Sequence, residues 1–122
     1  MRLPGVAKVF ISQEKICDYL LSLSHPVGGP KARFFRGFGF VPEKWEALAE
    51  SLKAICENYE VKESSETPFG KRFVIDGVLT TPDKRNPMIR TVWFIHNGES
   101  HSHFVTAFPL PALKEVSNGK RT

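Results

Sequence analysis

The hydrophobic period of the chain changes once, near residue 60, and this change constrains the fold more than any other feature. Before it, apolar residues recur at the three- and four-residue spacing of an amphipathic helix, as in the run Ile16, Tyr19, Leu20 and Leu23. From Val61 onward apolar and polar residues alternate, which is the two-residue period of a half-buried strand. A helical half followed by a strand half is typical of α+β proteins.

Three helices are predicted in the first half, each bounded by residues with capping or helix-breaking preferences. Ser12 is a good N-cap for the first helix. Pro26 disfavours helical geometry in the residue before it, so this helix is expected to end near residue 24. A second helix is predicted over residues 31–38 and a third over residues 43–59. The third has an apolar stripe made of Trp45, Leu48, Ala49, Leu52, Ile55 and Cys56.

Four strands are predicted in the second half, at residues 61–66, 71–79, 88–95 and 103–108. The segments between them carry the Pro, Gly, Asn and Asp residues that turns need. Short connections join antiparallel neighbours, so we predict N-terminal helices packed on one face of a four-stranded antiparallel sheet. Residues 1–110 form the predicted single domain, and residues 111–122 a basic C-terminal tail.

Composition limits the classes of protein to which the chain can belong. It has 122 residues, of which 41% are hydrophobic and 25% charged, and these values exclude wholesale disorder. No run of about 18 apolar residues is present, and the N-terminus does not resemble a signal peptide, so we expect a cytoplasmic protein with no membrane partner. Cys17 and Cys56 fall at helical apolar positions and are expected to be buried thiols. The net charge of +4 permits an anionic partner such as RNA without requiring one.

Four of the ten phenylalanines fall in the predicted strands, and alternation distributes them over both faces of the sheet. Alternation places one apolar set toward the helices: Phe73, Ile75, Trp93, Ile95 and Val105. The other face mixes apolar and charged residues: Arg72, Val74, Asp76, Arg90, Val92, Phe94, Phe104, Thr106 and Phe108. It is either a second small core crossed by charge pairs or a platform for nucleic acid. In the platform, Arg72 would contact a phosphate. A base would stack on Phe94, Phe104 or Phe108, and a one-residue slip in register would exchange the faces.

Residues 25–31, with the sequence His-Pro-Val-Gly-Gly-Pro-Lys, form a loop between the first two predicted helices. Lys31 lies near the N-terminus of the second helix, where backbone N–H groups favour an anion. The loop lacks the Gly-Lys-Ser/Thr ending of a nucleotide-binding P-loop. Either the loop binds an anion beside His25, or His25 only caps the preceding helix and the glycines only make the turn.

Three of the four histidines, His96, His101 and His103, crowd the predicted turn between the last two strands. Together with Glu99 they offer ligand types that zinc accepts. The alternative is an exposed polar turn whose histidines are incidental. Because no cysteine pair and no recognised ligand spacing accompanies them, we predict no metal and no cofactor.

One reaction fits the available side chains without a metal, namely RNA cleavage by attack of a ribose 2′-hydroxyl on the adjacent phosphate. It needs a base, an acid and cations around the phosphorane. His25 is a candidate for the acid or the base, because imidazole titrates near neutral pH. Lys31, Arg72 and Arg90 are candidates for the cations, and Thr106 for a hydrogen bond to the phosphate.

Motifs along most of the chain resemble an uncharacterised family of small bacterial proteins. The first group comprises Tyr19-Leu20-Leu21, His25-Pro26, Gly28, Lys31-Ala32, Phe34-Phe35, Gly39-Phe40 and Trp45. The second group comprises Phe69-Gly70-Lys71, Thr91-Val92-Trp93 and Val105-Thr106-Ala107-Phe108-Pro109. The resemblance covers residues 3 to 110 approximately.

The order of elements is also similar to that of the superfamily of barnase, EndoU, colicin-type tRNases and RelE-like toxins. The ending Val-Thr-Ala-Phe-Pro resembles the last strand of many toxin domains in that group. This resemblance implies a metal-independent ribonuclease from a toxin–antitoxin or contact-dependent system. It implies His25, Lys31 and Thr106 as site residues, with Arg90 or Arg72 as a cation on a strand. Only one early histidine is present, so the pattern cannot assign both the general acid and the general base.

Two hypotheses from different classes follow. In the first, the chain is a small ribonuclease-like toxin domain with RNA as its substrate and a cognate antitoxin or immunity protein as its partner. In the second, it is a non-catalytic interaction module that uses the aromatic sheet face to bind a protein, as an immunity protein or adaptor would. RNA binding weakens steeply with added salt, whereas an apolar protein interface does not, so salt dependence separates them.

Overall fold

A computed structural model describes residues 1–4, 8–26 and 29–110 of the chain. The helices are α1 (Gln13–Lys15), α2 (Gly29–Gly37) and α3 (Trp45–Asn58). A π-helix, Ile16–Leu20, follows α1, and a 3₁₀ turn, Pro42–Lys44, precedes α3. The strands are β1 (Val9–Phe10), β2 (Glu63–Thr67), β3 (Gly70–Val78), β4 (Met88–His96) and β5 (Ser102–Pro109). The predicted C-terminal tail and two residues of the predicted loop, Val27 and Gly28, lie outside the described residues.

The first helical segment ends earlier than the spacing of its apolar residues predicts, and its second part is wider than an α-helix. It begins as expected, because the Ser12 side chain accepts a hydrogen bond from the Lys15 backbone N–H at 3.1 Å. It then widens into the π-helix, at whose end the Leu21 N–H donates to the Ile16 carbonyl five residues earlier, at 2.8 Å. The predicted continuation to residue 24 is wrong, and Leu23, assigned to the apolar stripe, is exposed.

The strands form one sheet with the order β1-β5-β4-β3-β2. The four strands of the second half pair antiparallel to one another, which confirms the α+β class. The prediction of a four-stranded, wholly antiparallel sheet is corrected by β1, which pairs parallel to the start of β5. A strand of two residues is too short to show alternation, so the sequence pattern could not reveal it.

The core lies between the helices and one face of the sheet. Its buried side chains include Ile16, Leu20, Phe35, Leu48, Leu52 and Ile55 from the helical half, and Phe73, Ile75, Ile89, Trp93 and Phe104 from the strands. One polar network crosses this core. The Trp93 indole N–H donates to the Thr91 hydroxyl at 2.8 Å, and that hydroxyl donates to the Ile75 carbonyl at 2.8 Å.

A β-bulge between β4 and β5 corrects the predicted faces. Val92 pairs with Thr106, but the next residue, Trp93, pairs with Phe104, so β5 contains one extra residue, Val105. Phe104 therefore turns toward the helices and packs on Trp93, with ring centroids 5.3 Å apart. The predicted placement of Phe104 on the outer face is wrong, since the residue is only 4% exposed within the core. Val105 is the extra residue of the bulge and is not part of the core cluster.

None of the described helices has the length and apolar character needed to cross a membrane. Both cysteines are free thiols, Cys56 buried as predicted and Cys17 only half-buried. Burial raises the pKa of Cys56 to about 12, and burial followed by the charge of Asp18 also raises the pKa of Cys17. Raised pKa values keep both thiols protonated at neutral pH, so neither is an activated nucleophile.

Candidate active site

Tyr19 contacts three residues that the sequence singles out, two through its hydroxyl and one through its ring. The hydroxyl accepts a hydrogen bond from the Lys31 ammonium at 2.9 Å and shares one with the Thr106 hydroxyl at 3.0 Å. The His25 ring packs edge-on against the Tyr19 ring, with centroids 5.1 Å apart and an interplanar angle of 86°. His25, Lys31 and Thr106 thus converge on Tyr19, and we name these four residues the Tyr19 cluster.

Each member of the Tyr19 cluster is held by a different element. Tyr19 lies in the π-helix, Lys31 in the first turn of α2 and Thr106 in β5 just after the bulge. The loop that carries His25 is joined to α2, because the Gly29 N–H donates to the His25 carbonyl at 2.8 Å. This junction is tight, since a Cβ on Gly29 would lie 3.0 Å from the Leu23 carbonyl oxygen.

The electrostatic environment of Tyr19 favours loss of its proton. Burial raises the pKa of the phenol, but the hydrogen bonds with Lys31 and Thr106 and the charges of Lys31 and Lys15 outweigh it, so the net pKa is lowered. The Lys15 and Lys31 ammonium groups lie 5.0 and 5.3 Å from the centre of the Tyr19 ring. A phenol with a lowered pKa, beside a histidine and a lysine, is a set of groups that can transfer protons.

The Tyr19 cluster borders a groove on the surface. Tyr19 and His25 line one depression together with Ser12, Glu14, Lys15 and Asp18. A second depression, lined by Phe10, Phe94, His96, His103, Phe104 and Val105, shares Ser12 and Lys15 with the first. The two depressions therefore adjoin, and they connect the cluster with the outer face of β4 and β5.

The structure places the remaining predicted residues on the outer face of the sheet, apart from Phe104. Arg90 is bound to Asp76 through two hydrogen bonds, of 2.8 and 3.0 Å, and both side chains are about four-fifths buried. The hydrogen bond to Asp76 raises the pKa of Arg90, and the carboxylate neutralises its charge. Arg72 is exposed opposite Phe94, and Phe108 is half-buried opposite Arg90. Among the described residues, no hydrogen bond or ring contact joins these four side chains to the Tyr19 cluster.

Sequence reasoning missed Tyr19 as a site residue because its spacing matches the apolar stripe of an ordinary helix. A signal was available in its position, since a tyrosine in such a stripe brings a hydroxyl that needs a hydrogen-bond partner. Lys31 and Thr106 provide the partners, but they are 12 and 87 residues away in the chain. Only the folded chain brings these three groups together.

The described residues form an α+β fold in which the Tyr19 cluster joins the helical segments to strand β5. The chain belongs to the family described as Domain of unknown function (DUF6883), whose family model matches residues 2–111. No protein in a search of curated proteins matches the chain.

A solved structure shares the fold. It is a chain of a contact-dependent growth inhibition toxin–immunity protein complex from Klebsiella pneumoniae 342, with a TM-score of 0.65 and 14% sequence identity. The match covers 81% of the present chain and 97% of that chain. At this level of identity the similarity establishes a common fold and leaves the activity to be argued from the site.

Proposed function

We propose that this protein is a ribonuclease-like toxin domain, formed by residues 1–110, which cleaves RNA without a metal ion. The observation that carries the proposal is the convergence on Tyr19 of Lys31 and Thr106, which bind its hydroxyl, and of His25, which packs against its ring. The similarity of fold to a chain from a toxin–immunity complex supports a role in a toxin system. The partners in this proposal are an RNA substrate and a cognate antitoxin or immunity protein.

The reaction in this proposal is an internal transfer of the phosphoryl group. The ribose 2′-oxygen forms a bond to phosphorus as the bond from phosphorus to the 5′-oxygen breaks. The 2′-hydroxyl gives up its proton to a base, and the 5′-oxygen receives one from an acid. The products are a 2′,3′-cyclic phosphate and a 5′-hydroxyl, so the reaction consumes neither water nor a cofactor.

We assign the general base to His25 and the general acid to Tyr19. An imidazole can accept a proton near neutral pH. The hydrogen bonds and charges that lower the pKa of the Tyr19 phenol make it release its proton more readily than an ordinary tyrosine. The resulting phenolate is stabilised by the Lys31 ammonium, 2.9 Å from the oxygen. The reaction needs an acid and a base, and the single early histidine can be only one of them. Tyr19 supplies the other.

Lys31 and Thr106 have further roles at the phosphate. Lys31 donates to a neutral hydroxyl rather than to a carboxylate, so its charge remains available to the developing phosphorane. Thr106 orients the phosphate through its hydroxyl. Arg90 is already paired with Asp76, and we therefore give it a supporting place on the outer face rather than direct contact with the reacting group.

The outer face provides the substrate contacts in this proposal. Phe94 and Phe108 are half-buried and offer ring surface for a base, and Arg72 is exposed for a phosphate. Phe104 has no such role, because its ring is buried in the core. The groove that joins Tyr19 to Phe94 passes Lys15, whose ammonium group can contact a phosphate of the strand between the two sites.

The second candidate is a non-catalytic module that binds a protein on the outer face. It is favoured by the same structural match, because the matched complex contains an immunity protein as well as a toxin. The two candidates differ in salt dependence. Binding to RNA weakens by orders of magnitude between low and moderate salt when several phosphates are contacted, whereas an apolar interface is nearly insensitive.

The test is incubation of the purified protein with total tRNA in EDTA, followed by analysis of the RNA ends. We expect cleavage products that carry 2′,3′-cyclic phosphates. His25→Ala is expected to lower the rate about 100-fold or more, the usual contribution of a general base. His101→Ala, which removes a histidine outside the cluster, is the matched control and is expected to cleave like the wild type. Absence of cleavage by the folded wild type, or equal rates for the two variants, would contradict the proposal.

A further inference from the structure

We propose that the turn between β4 and β5 is a binding site for a zinc ion, formed by His96, Glu99 and His103. The proposal is independent of the proposed catalytic step, which uses none of these three residues as acid, base or phosphate ligand. We name these three residues together with His101 the histidine hairpin. Its side chains offer ligand types that a transition metal accepts, and three of their ligand atoms lie within 4.8 Å of one another.

The geometry of the histidine hairpin carries the proposal. One potential ligand atom from each of His96, Glu99 and His103 lies within 4.8 Å of the other two. The Nε2 atoms of His103 and His101 are 3.1 and 3.6 Å from the same oxygen, Oε1 of Glu99. Two ligand atoms of a tetrahedral zinc ion, each about 2.1 Å from the metal, are about 3.4 Å apart. Small side-chain rotations therefore bring these atoms to coordinating positions.

The backbone of the turn explains why the side chains converge. His96 ends β4 on the same face as Phe94, and Phe94 pairs directly with His103 of β5. The chain reverses between them in a tight turn, in which the Glu99 N–H donates to the His96 carbonyl at 3.0 Å. Gly98 makes this turn with a φ of 85°, a conformation that other residues rarely adopt. The reversal places the Glu99 carboxylate above the histidines of both strands.

The ligand chemistry selects the metal. Two or three imidazoles and one carboxylate suit zinc and its neighbours in the first transition series, such as nickel. Magnesium and calcium prefer oxygen ligands, and one carboxylate cannot satisfy them. His101 is within reach of Glu99 and is a candidate for the fourth ligand.

Aromatic rings surround the imidazoles and limit their movement. The His96 ring packs against Phe94 at 4.8 Å, and the His103 ring packs against Phe10 at 5.7 Å. The two imidazoles also contact each other, with centroids 5.1 Å apart. Ligands held in place by their neighbours lose less freedom on binding a metal.

The experiment measures zinc binding directly rather than activity. The wild-type protein and variants are equilibrated with zinc chloride, separated from free metal by gel filtration and assayed for zinc per chain. Affinity is then measured by competition with a chromophoric chelator. Magnesium chloride is the control ion. His25→Ala is the matched control variant, because it removes the one histidine that lies outside the hairpin.

We expect one zinc ion per chain in the wild type and in His25→Ala, and no retention of magnesium. His96→Ala and His103→Ala are each expected to bind zinc at least about tenfold more weakly. Zinc is also expected to raise the melting temperature of the wild type, because a ligand that binds only the folded state stabilises it.

Two outcomes would overturn the proposal. One is a folded wild type that retains no zinc, and the other is unchanged zinc affinity in the His96→Ala, His103→Ala double variant. Each variant is checked for folding by far-UV circular dichroism without metal. Should a histidine variant fail to fold, Glu99→Gln replaces it, because Glu99 is exposed in the turn and its loss removes only a ligand. Unchanged affinity in Glu99→Gln would then contradict the site.

Discussion

Replacing Thr91 with valine tests the polar network in the core, and with it the scaffold of the active site. Thr91 is fully buried, and its hydroxyl both accepts from the Trp93 indole and donates to the Ile75 carbonyl, each at 2.8 Å. Valine has nearly the same shape but cannot accept a hydrogen bond. Trp93 is fully buried, so its N–H would be left without a partner.

The expected loss of stability follows from these two hydrogen bonds. A buried donor left unsatisfied costs about 1–3 kcal/mol. The Ile75 carbonyl loses less, because a carbonyl oxygen has a second lone pair that can accept from other donors. We therefore expect Thr91→Val to lower the free energy of unfolding by about 2–3 kcal/mol, a decrease of roughly 6–15 °C in melting temperature for a domain of this size.

Urea unfolding followed by tryptophan fluorescence measures this change. Thr80→Val is the matched control, because Thr80 is exposed beyond the end of β3 and its substitution should change stability by less than about 0.5 kcal/mol. A Thr91→Val protein as stable as the wild type would refute the reasoning, as would equal destabilisation by both substitutions. The result bears on the candidate site because Trp93 packs on Phe104, which is separated from Thr106 in β5 only by the extra residue of the bulge.

Two further predictions concern ionisable groups, the ion pair of Arg90 and the phenol of Tyr19. Asp76→Ala leaves the largely buried Arg90 guanidinium unpaired and is expected to cost about 1–3 kcal/mol in urea unfolding, whereas no change would show that solvent compensates for the lost pair. The phenol of Tyr19, followed at 295 nm in a Tyr59→Phe protein, is expected to ionise below the ordinary tyrosine range, and Lys31→Met is expected to raise its pKa. The Tyr19 phenol loses its proton at a lower pH in the folded chain than in the unfolded chain, so between the two pKa values the unfolded chain binds more protons. The contribution of Tyr19 to stability therefore increases with pH across this interval and is lost as pH falls below it.

The order of helices and strands could be predicted from sequence because proline, glycine and capping residues delimit each segment. Ser12 begins α1 as expected, and the four strands of the second half lie close to their predicted positions. The parallel strand β1 could not be predicted, because two residues cannot display a period. Its place in the sheet depends on a contact with β5 more than 90 residues away in the chain.

Two local irregularities of the backbone, the bulge in β5 and the π-helix, account for the errors in the predicted site. The extra residue in β5 reverses the faces of Phe104 and its neighbours, and alternation alone cannot indicate where a bulge lies. Tyr19 lies in the π-helix, so its position differs from the one that the spacing of an ideal α-helix predicts. π-Helical turns occur often at functional sites, and here the turn carries the residue on which Lys31 and Thr106 converge.

Residue types and loop positions identified three members of the Tyr19 cluster as candidates, although their proximity needed the fold. His25 and Lys31 flank the same loop, so their closeness was accessible from sequence. Thr106 is a candidate because alternation places its hydroxyl on the mixed face of the last strand, and the resemblance implies the same residue. Arg90 was named as a cation, but a carboxylate on the neighbouring strand binds it, and this pairing depends on the register between β3 and β4.

The most direct test of the proposed function is the rate of tRNA cleavage in EDTA by Tyr19→Phe relative to Tyr59→Phe. Each substitution removes one hydroxyl from one of the two tyrosines of the chain, and only the first hydroxyl contacts Lys31 and Thr106. Both proteins are first shown to be folded at the assay temperature. The proposed mechanism predicts that Tyr19→Phe is slower by about 100-fold or more. Equal rates for the two folded variants would contradict the assignment of Tyr19 as the general acid.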